Sequence, residues 1–200
     1  ACRQPGSAFK PVIAYAAALD MGGTAASIID DAPIQYRQSS GELWAPENYD
    51  LRFRGLTPFR EGLKWSINVM AVRLLDRIGV RTGIACATKM GVSTLVTSGA
   101  KNDLGLATAL GGLTTGVTVL ELTSAYATFA NKGVYVEPVA ILKVVDRNGN
   151  VLEEANPTSR QAVKPETAYI MTDMLKDVIL GGTCRAADIG RPAAGKTGTT

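Results

Sequence analysis

The chain is 200 residues long, enough for one well-buried domain or most of one. It is 46% hydrophobic and 20% charged, as an ordinary globular chain is. Its 21 basic and 18 acidic residues leave a net charge of +3, too small and too dispersed to imply nucleic acid. The absence of histidine excludes histidine-dependent catalysis and histidine-ligated metal. The three cysteines, Cys2, Cys86 and Cys184, form no C-x-x-C pair. They read as buried free thiols or as one Cys86–Cys184 bridge with a thiol left over. No apolar run reaches about 18 residues, and no signal-peptide pattern is found.

In chain order, Gly6-Ser7-Ala8-Phe9-Lys10-Pro11 opens a helix predicted over Ser7 to about Asp20, with Met21-Gly22-Gly23 as its stop. Pro11 falls near the first turn, where a missing N–H matters least. The helix is apolar on nearly every side, which predicts a place in the middle of the domain. Residues three apart share a helix face, so Lys10 lies within reach of the Ser7 hydroxyl. A serine needs an adjacent base to act as a nucleophile. A lysine serves only if burial or a second cation lowers its pKa. The remaining chain has to supply that cation.

Residues 30–60 read as a long irregular segment, with turn signals at Asp31-Ala32-Pro33, Ser39-Ser40-Gly41 and Ala45-Pro46-Glu47-Asn48. Trp44 and Tyr49 are expected to pack this loop down, with lining a groove as the alternative. Arg52, Arg54 and Arg60 read as a solvated face. Thr57-Pro58 predicts a helix start with Thr57 as N-cap. After Trp65, the sequence Ser66-Ile67-Asn68 precedes a helical stripe of Ile67, Met70, Ala71, Leu74, Leu75 and Ile78, closed by Gly79. Ser66 and Asn68 sit where capping residues sit, and capping is one reading of them.

Residues 81–90 predict another short helix, and Gly105 to Thr115 a tightly packed turn region. Thr118-Val119-Leu120-Glu121 is a capping box, and the helix behind it carries Leu122, Tyr126 and Phe129 on one side. Arg147-Asn148-Gly149-Asn150 between two apolar runs predicts a hairpin. Pro165 starts a helix with Ala168, Met171, Met174, Leu175 and Val178 inward, ending at Gly181-Gly182. The final stretch, Ala193-Ala194-Gly195-Lys196-Thr197-Gly198-Thr199-Thr200, reads as extended.

Ser-x-x-Lys alone is weak, and Ser98-Gly99-Ala100-Lys101 also fits it. That copy has no apolar helix to bury its lysine and is discounted. The ordered set is stronger: Ser7/Lys10, then Ser66/Asn68, then Lys196-Thr197-Gly198. With its flanks, and with Ala109 to Thr118 and Ala125 to Val134, the set resembles the transpeptidase domain of class A penicillin-binding proteins over essentially the whole chain. The resemblance implies an α+β fold of the penicillin-binding transpeptidase and serine β-lactamase type, a helical subdomain plus an antiparallel sheet. It identifies residues 1–200 as a partial domain running from the Ser-x-x-Lys motif to a Lys-Thr-Gly strand, incomplete at both ends.

The same resemblance implies a peptidoglycan D,D-transpeptidase of the cell envelope, acting at the periplasmic face of the inner membrane. Its partners would be stem peptides and β-lactams, not nucleic acid. Membrane attachment would come only through an N-terminal anchor outside these residues, in a parent that also carries a glycosyltransferase domain. No cofactor and no metal are implied. Ser7 is the expected nucleophile, Lys10 its base, Ser66 a proton relay, and Asn68 a holder of a substrate backbone group. Lys196 would lower the Lys10 pKa. Backbone N–H groups of Ser7 and Thr199 would form the oxyanion hole. Lys196, Thr197 and Thr199 would bind the terminal carboxylate, with Gly198 admitting the substrate along the strand.

Three readings compete. A serine β-lactamase needs a deacylating base, and the chain has no Glu-x-x-Leu-Asn segment of the class A enzymes, nor the valine of the class D motif at Ser66-Ile67-Asn68. A D,D-carboxypeptidase, or a β-lactam sensor that signals without turnover, shares every motif. A sheet lacking its neighbours would expose edges, so the isolated 200-residue chain is expected to be unstable or weakly active. Incubation with a fluorescent penicillin tests this, and a full-strength label on the isolated chain contradicts it.

Overall fold

The computed structural model describes residues 1–37 and 41–199. Its centre is a continuous helical rod over 6–20. A 3-10 turn Gly6–Phe9 leads into a π-helical stretch Pro11–Tyr15 and then the α-helix α1, Ala16–Asp20. The Ala16 N–H bonds Pro11 O, the five-residue step of the wider π turn. Phe9, Val12, Ile13, Ala14, Tyr15 and Ala16 are wholly buried, as the all-round apolar sequence predicts. The two-residue strand β1, Cys2–Arg3, precedes the rod.

Residues 30–60 are more regular than the turn signals suggest. Two antiparallel ladders form there. Strand β2, Ile28–Asp31, pairs with β5, Gly55–Pro58, and between them β3, Tyr36–Arg37, pairs with β4, Leu43–Trp44. Short strands with mixed polarity leave no periodic signal, so their pairing comes from the fold. The Ser39-Ser40 part of the predicted turn lies outside the described residues. Trp44 does pack, in a tilted pair with Tyr36 at 6.3 Å, whereas Tyr49 is 98% exposed and packs nothing down.

Helix α2, Phe59–Lys64, begins one residue later than predicted: Thr57 and Pro58 belong to β5, and the Thr57 hydroxyl donates to Gly55 O instead of capping. Helices α3, Asn68–Ile78, and α4, Val80–Lys89, follow and pack on the rod. A 3-10 turn Leu106–Leu110 occupies the Gly-rich region.

Strand β6, Val117–Thr118, pairs with β1 and leads into α5, Val119–Ala130. Strands β7, Val134–Val136, β8, Lys143–Val145, β9, Val151–Glu154, and β10, Ser159–Gln161, come next. β7 pairs with β10, and β8 with β9 across the predicted Asn-Gly turn, all antiparallel. The turn is held by the Asp146 carboxylate, which accepts the N–H groups of Asn148 and Asn150 at 2.8 Å each.

Helix α6, Pro165–Gly181, closes the core with Ala168, Met171, Met174, Leu175 and Val178 buried as predicted. Its first turn is tied to the end of the rod, where Asp20 accepts from Lys164 N at 2.7 Å and from the Thr167 hydroxyl at 3.0 Å. Arg60 is no solvated residue: it bridges α2 to α6 through Asp173 and Asp177 at 2.7 and 2.6 Å. Arg54 pairs with Asp50 at 2.6 Å. All three cysteines are free, and only Cys86 is buried, its thiol pushed up to about 12, chiefly by that burial.

The capping box forms and extends further than its sequence. Glu121 accepts from the Thr118 N–H and hydroxyl, and from the N–H and hydroxyl of Ser93 at 2.8 Å each, joining α5 to the loop after α4. Burial alone would raise the Glu121 pKa. The hydrogen bonds from Thr118 and Ser93 outweigh it and hold the carboxyl at about 2. A folded pKa of about 2 lies below the unfolded value of about 4.3. Its stabilisation is therefore complete above about pH 4.3 and lost as pH falls through 2. Glu121→Gln is expected to cost about 1–3 kcal/mol at pH 7. The difference in urea midpoint from wild type should narrow over the same acidic window.

Candidate active site

Ser7 sits in the 3-10 turn that opens the rod, half-buried, and its carbonyl accepts the Lys10 N–H. No hydrogen bond to its hydroxyl forms among the described residues. The turn is braced from three sides. Gln4 exchanges two hydrogen bonds with the Leu113 backbone at 2.6 and 2.8 Å. The Tyr126 hydroxyl donates to Ala8 O at 2.8 Å, and β1 is laddered to β6.

Lys10 is fully buried, which is rare for a lysine. Its amine donates to Ser66 O and Asn68 Oδ1 at 2.6 Å each and lies 3.2 Å from Ser66 Oγ. By contrast, Ser98 and Lys101, the other Ser-x-x-Lys pair, are both exposed.

The Ser66 side of this contact depends on a local backbone feature. Ser66 has φ +56°, the left-handed region that non-glycine residues rarely adopt. The chain turns there between α2 and α3, and both the carbonyl and the hydroxyl of Ser66 reach Lys10. Neither Ser66 nor Asn68 caps α3. Asn48 caps it from across the loop, accepting the N–H groups of Asn68 and Val69. The Asn68 side chain is thereby free to bond Lys10 with its oxygen and Glu47 O with its amide, at 2.8 Å.

The last residues return to the same place. A Cβ on Gly198 would stand 2.6 Å from Pro5 O and 3.2 Å from Ala8 Cβ, and a Cβ on Gly6, at φ +53°, would collide with Thr199 O. Two glycines thus let residues 198–199 lie directly on the Ser7 turn. The expected Lys-Thr-Gly strand is not one: residues 189–199 join no ladder among the described residues. They are seated instead by these backbone approaches, by Gly195 N bonding Leu175 O, and by a Thr183–Thr197 hydroxyl contact of 2.9 Å. The Lys196 amine bonds the oxygens of Thr197 at 3.1 Å.

Burial, and next the Lys196 charge, hold the Lys10 pKa well below that of a free lysine. Burial also brings Lys196 down to about 8, against an opposing pull from Cys184. Two cavities border the site, about 310 Å³ between Gly6, Leu113 and Thr199, and about 190 Å³ between Asn48, Trp65, Ser66 and Thr183.

The structure therefore assembles Lys10, Ser66 and Asn68 by direct contact, with Ser7 one turn away. It lays Gly198 and Thr199 on that turn and brings the Lys196 charge to Lys10. Sequence reasoning missed Asp31, Asn48 and Thr183. Asn48 registered only as part of a turn signal, and nothing in the sequence links it to Asn68.

Helices around a buried Ser-x-x-Lys rod, with short antiparallel ladders and a C-terminal segment laid back on the serine turn, are the fold of penicillin-binding transpeptidase domains. The chain belongs to that family: the model of the penicillin binding protein transpeptidase domain matches residues 2–200. It is 46% identical over its whole length to Penicillin-binding protein 1A of Aquifex aeolicus, and 38% identical to that of Neisseria meningitidis. It spans about a quarter of the length of these curated relatives, 26% and 25%. The crystal structure of Penicillin-Binding Protein 1A from Haemophilus influenzae superposes on all of the chain with a TM-score of 0.86, at 29% identity and 35% of that protein's chain. PonA1 of Mycobacterium tuberculosis, in complex with penicillin V, does so with 0.85, at 28% identity and 54% of its chain.

Gly198→Ala is expected to push residues 198–199 off the Ser7 turn, costing about 1–3 kcal/mol. With the Lys196 charge moved away, the Lys10 pKa should rise. Side-chain NMR titration of Lys10 and urea unfolding check the two effects, and an unchanged Lys10 titration removes the claimed coupling.

Proposed function

We propose that this chain carries the acyl-transfer site of a peptidoglycan D,D-transpeptidase, with Ser7 as nucleophile and Lys10 as its base. The observation that carries the reading is the fully buried Lys10 amine held by three oxygens from Ser66 and Asn68. An ammonium there satisfies its three donors but bears a large desolvation cost. A neutral amine keeps the two 2.6 Å bonds, to Ser66 O and Asn68 Oδ1, and turns its lone pair toward a hydroxyl. Burial and the Lys196 charge both favour that neutral form.

In the proposed reaction Ser7 Oγ gives its proton to Lys10 and attacks the carbonyl of the penultimate D-Ala. Backbone N–H groups of Ser7 and Thr199 bind the oxyanion. The C–N bond breaks, Ser66 relays a proton to the departing D-Ala amine, and an ester to Ser7 remains. Lys196, Thr197 and Thr199 bind the terminal carboxylate, and Gly198 admits the peptide along the chain. An amine from a neighbouring stem then attacks the ester, forming the cross-link and freeing Ser7. With water as the attacking group the same site is a carboxypeptidase, and with neither it is a β-lactam sensor. A β-lactam mimics the D-Ala-D-Ala bond and leaves Ser7 acylated. The family membership and the penicillin complex of PonA1 support this reading, which places the parent protein in the cell envelope. Among the described residues no helix is long and apolar enough to cross a membrane.

Intact mass spectrometry of the full-length protein after penicillin exposure should show one added penicillin, absent from Ser7→Ala. A mass shift surviving in Ser7→Ala removes Ser7 as nucleophile. In Lys196→Ala the Lys10 pKa loses one of its two depressing causes and rises, so less neutral amine is present at a given pH. The rising limb of acylation rate against pH should move to higher pH, by less than the whole depression because burial is the larger cause.

A further inference from the structure

We propose that Asn48 is a positioning residue for the acyl-transfer step, setting the Asn68 and Ser66 oxygens on the Lys10 amine without touching substrate. The inference rests on the proposed role of Lys10 as base.

Asn48 is 3% exposed and uses its whole amide. Its oxygen accepts the N–H groups of Asn68 and Val69 at 2.9 and 3.1 Å, the first two orphan donors of α3. Its nitrogen donates to Asp31 Oδ1 at 2.7 Å and to Arg52 O at 2.8 Å. Asp31 is itself wholly buried, in β2, and its other oxygen accepts the Arg54 N–H at 3.0 Å. The chain of contacts therefore runs from a strand of the β2–β5 ladder, through one amide, to the backbone of Asn68.

Two features make this more than a helix cap. First, the preceding residue of the loop clamps the other end of Asn68: Glu47 O takes the Asn68 amide hydrogen, which leaves Asn68 Oδ1 as the group facing Lys10. Backbone and side chain of one site residue are thus both fixed by residues 47–48. Second, the turn that Asn48 anchors contains Ser66 in its left-handed conformation. A non-glycine residue persists there only where its surroundings hold it. Local capping by Ser66 or Asn68 would consume the oxygens that Lys10 uses. A cap borrowed from the loop leaves them free. An amine lone pair must be aimed to within a fraction of an ångström, and a shift of about 1 Å costs up to about 100-fold in rate.

Two variants of the full-length protein test this, with the acylation rate by a fluorescent penicillin taken per folded molecule. Asn48→Ala removes the link. The exchange Asn48→Asp with Asp31→Asn rebuilds the link to α3 with the partners reversed, the carboxylate now at position 48 accepting from Asn68, from Val69 and from the amide now at position 31, but it gives up the bond to Arg52 O. Asn48→Ala is expected to fold and to acylate about 10- to 100-fold more slowly, and the exchange to recover a part of that loss, acylating about threefold or more faster than Asn48→Ala. A purely structural loss would lower the folded fraction without slowing the folded molecules. The proposal is overturned if folded Asn48→Ala acylates at the wild-type rate, or if Asn48→Ala does not fold. It is equally overturned if the exchange variant is no faster than Asn48→Ala or does not fold. A wild-type protein that takes no label overturns the reading of Ser7 and Lys10 instead.

Discussion

The burial of one amine organises this molecule. Lys10 lies on a rod that is apolar between Ala8 and Leu19 apart from this one amine, at the centre of the core and with no exposed surface. An ammonium there carries a desolvation cost of several kcal/mol unless it is well paired, and no carboxylate pairs with it among the described residues. The fold answers with three neutral oxygens and with a neighbouring lysine whose charge favours loss of the proton. Pairing with Asp or Glu would have stabilised the charged form and made the amine useless as a base. Neutral acceptors leave the proton of this lysine removable, where a paired carboxylate would hold it.

That choice constrains everything around it. The three oxygens come from the turn between α2 and α3 and from the first residue of α3, so this junction must be held without using them. The cap on α3 is therefore supplied from a distance, by Asn48, just as the first turn of α6 is tied down by Asp20 at the end of the rod. Among the described α-helices only α5 carries its own cap, the Thr118–Glu121 box, and even there the Glu121 carboxylate also serves Ser93 and Thr94. Helix ends in this protein double as the joints between elements.

The C-terminal segment obeys a different constraint. Lys196 has to approach Lys10 closely enough for its charge to count, which requires residues 198–199 to touch the backbone at 5–8. Side chains at Gly6 or Gly198 would hold the two pieces apart. The glycines are thus the physical reason that a motif at the start of the chain and one at its end form a single site.

Much of this was legible in the sequence. The helical period, the stops at Gly22, Gly79 and Gly181, the Thr118–Glu121 box and the Asn148-Gly149 hairpin are local signals with local causes, and each produced its element. The order of Ser7/Lys10, Ser66/Asn68 and Lys196–Gly198, with its flanks, pointed to the family that the comparisons establish. The strands within 28–58, the exposure of Tyr49, and the engagement of Arg54 and Arg60 in ion pairs were not legible, because each depends on the way the surrounding chain folds. The same holds for the site: the sequence pointed to the residue types that are proposed to bear the chemistry. Only the tertiary structure decided that Lys10 is dry, that Lys196 lies near enough to act on it, and that Asp31 and Asn48 hold the turn. A pKa and a hydrogen-bond network are properties of surroundings, and surroundings exist only once the chain has folded.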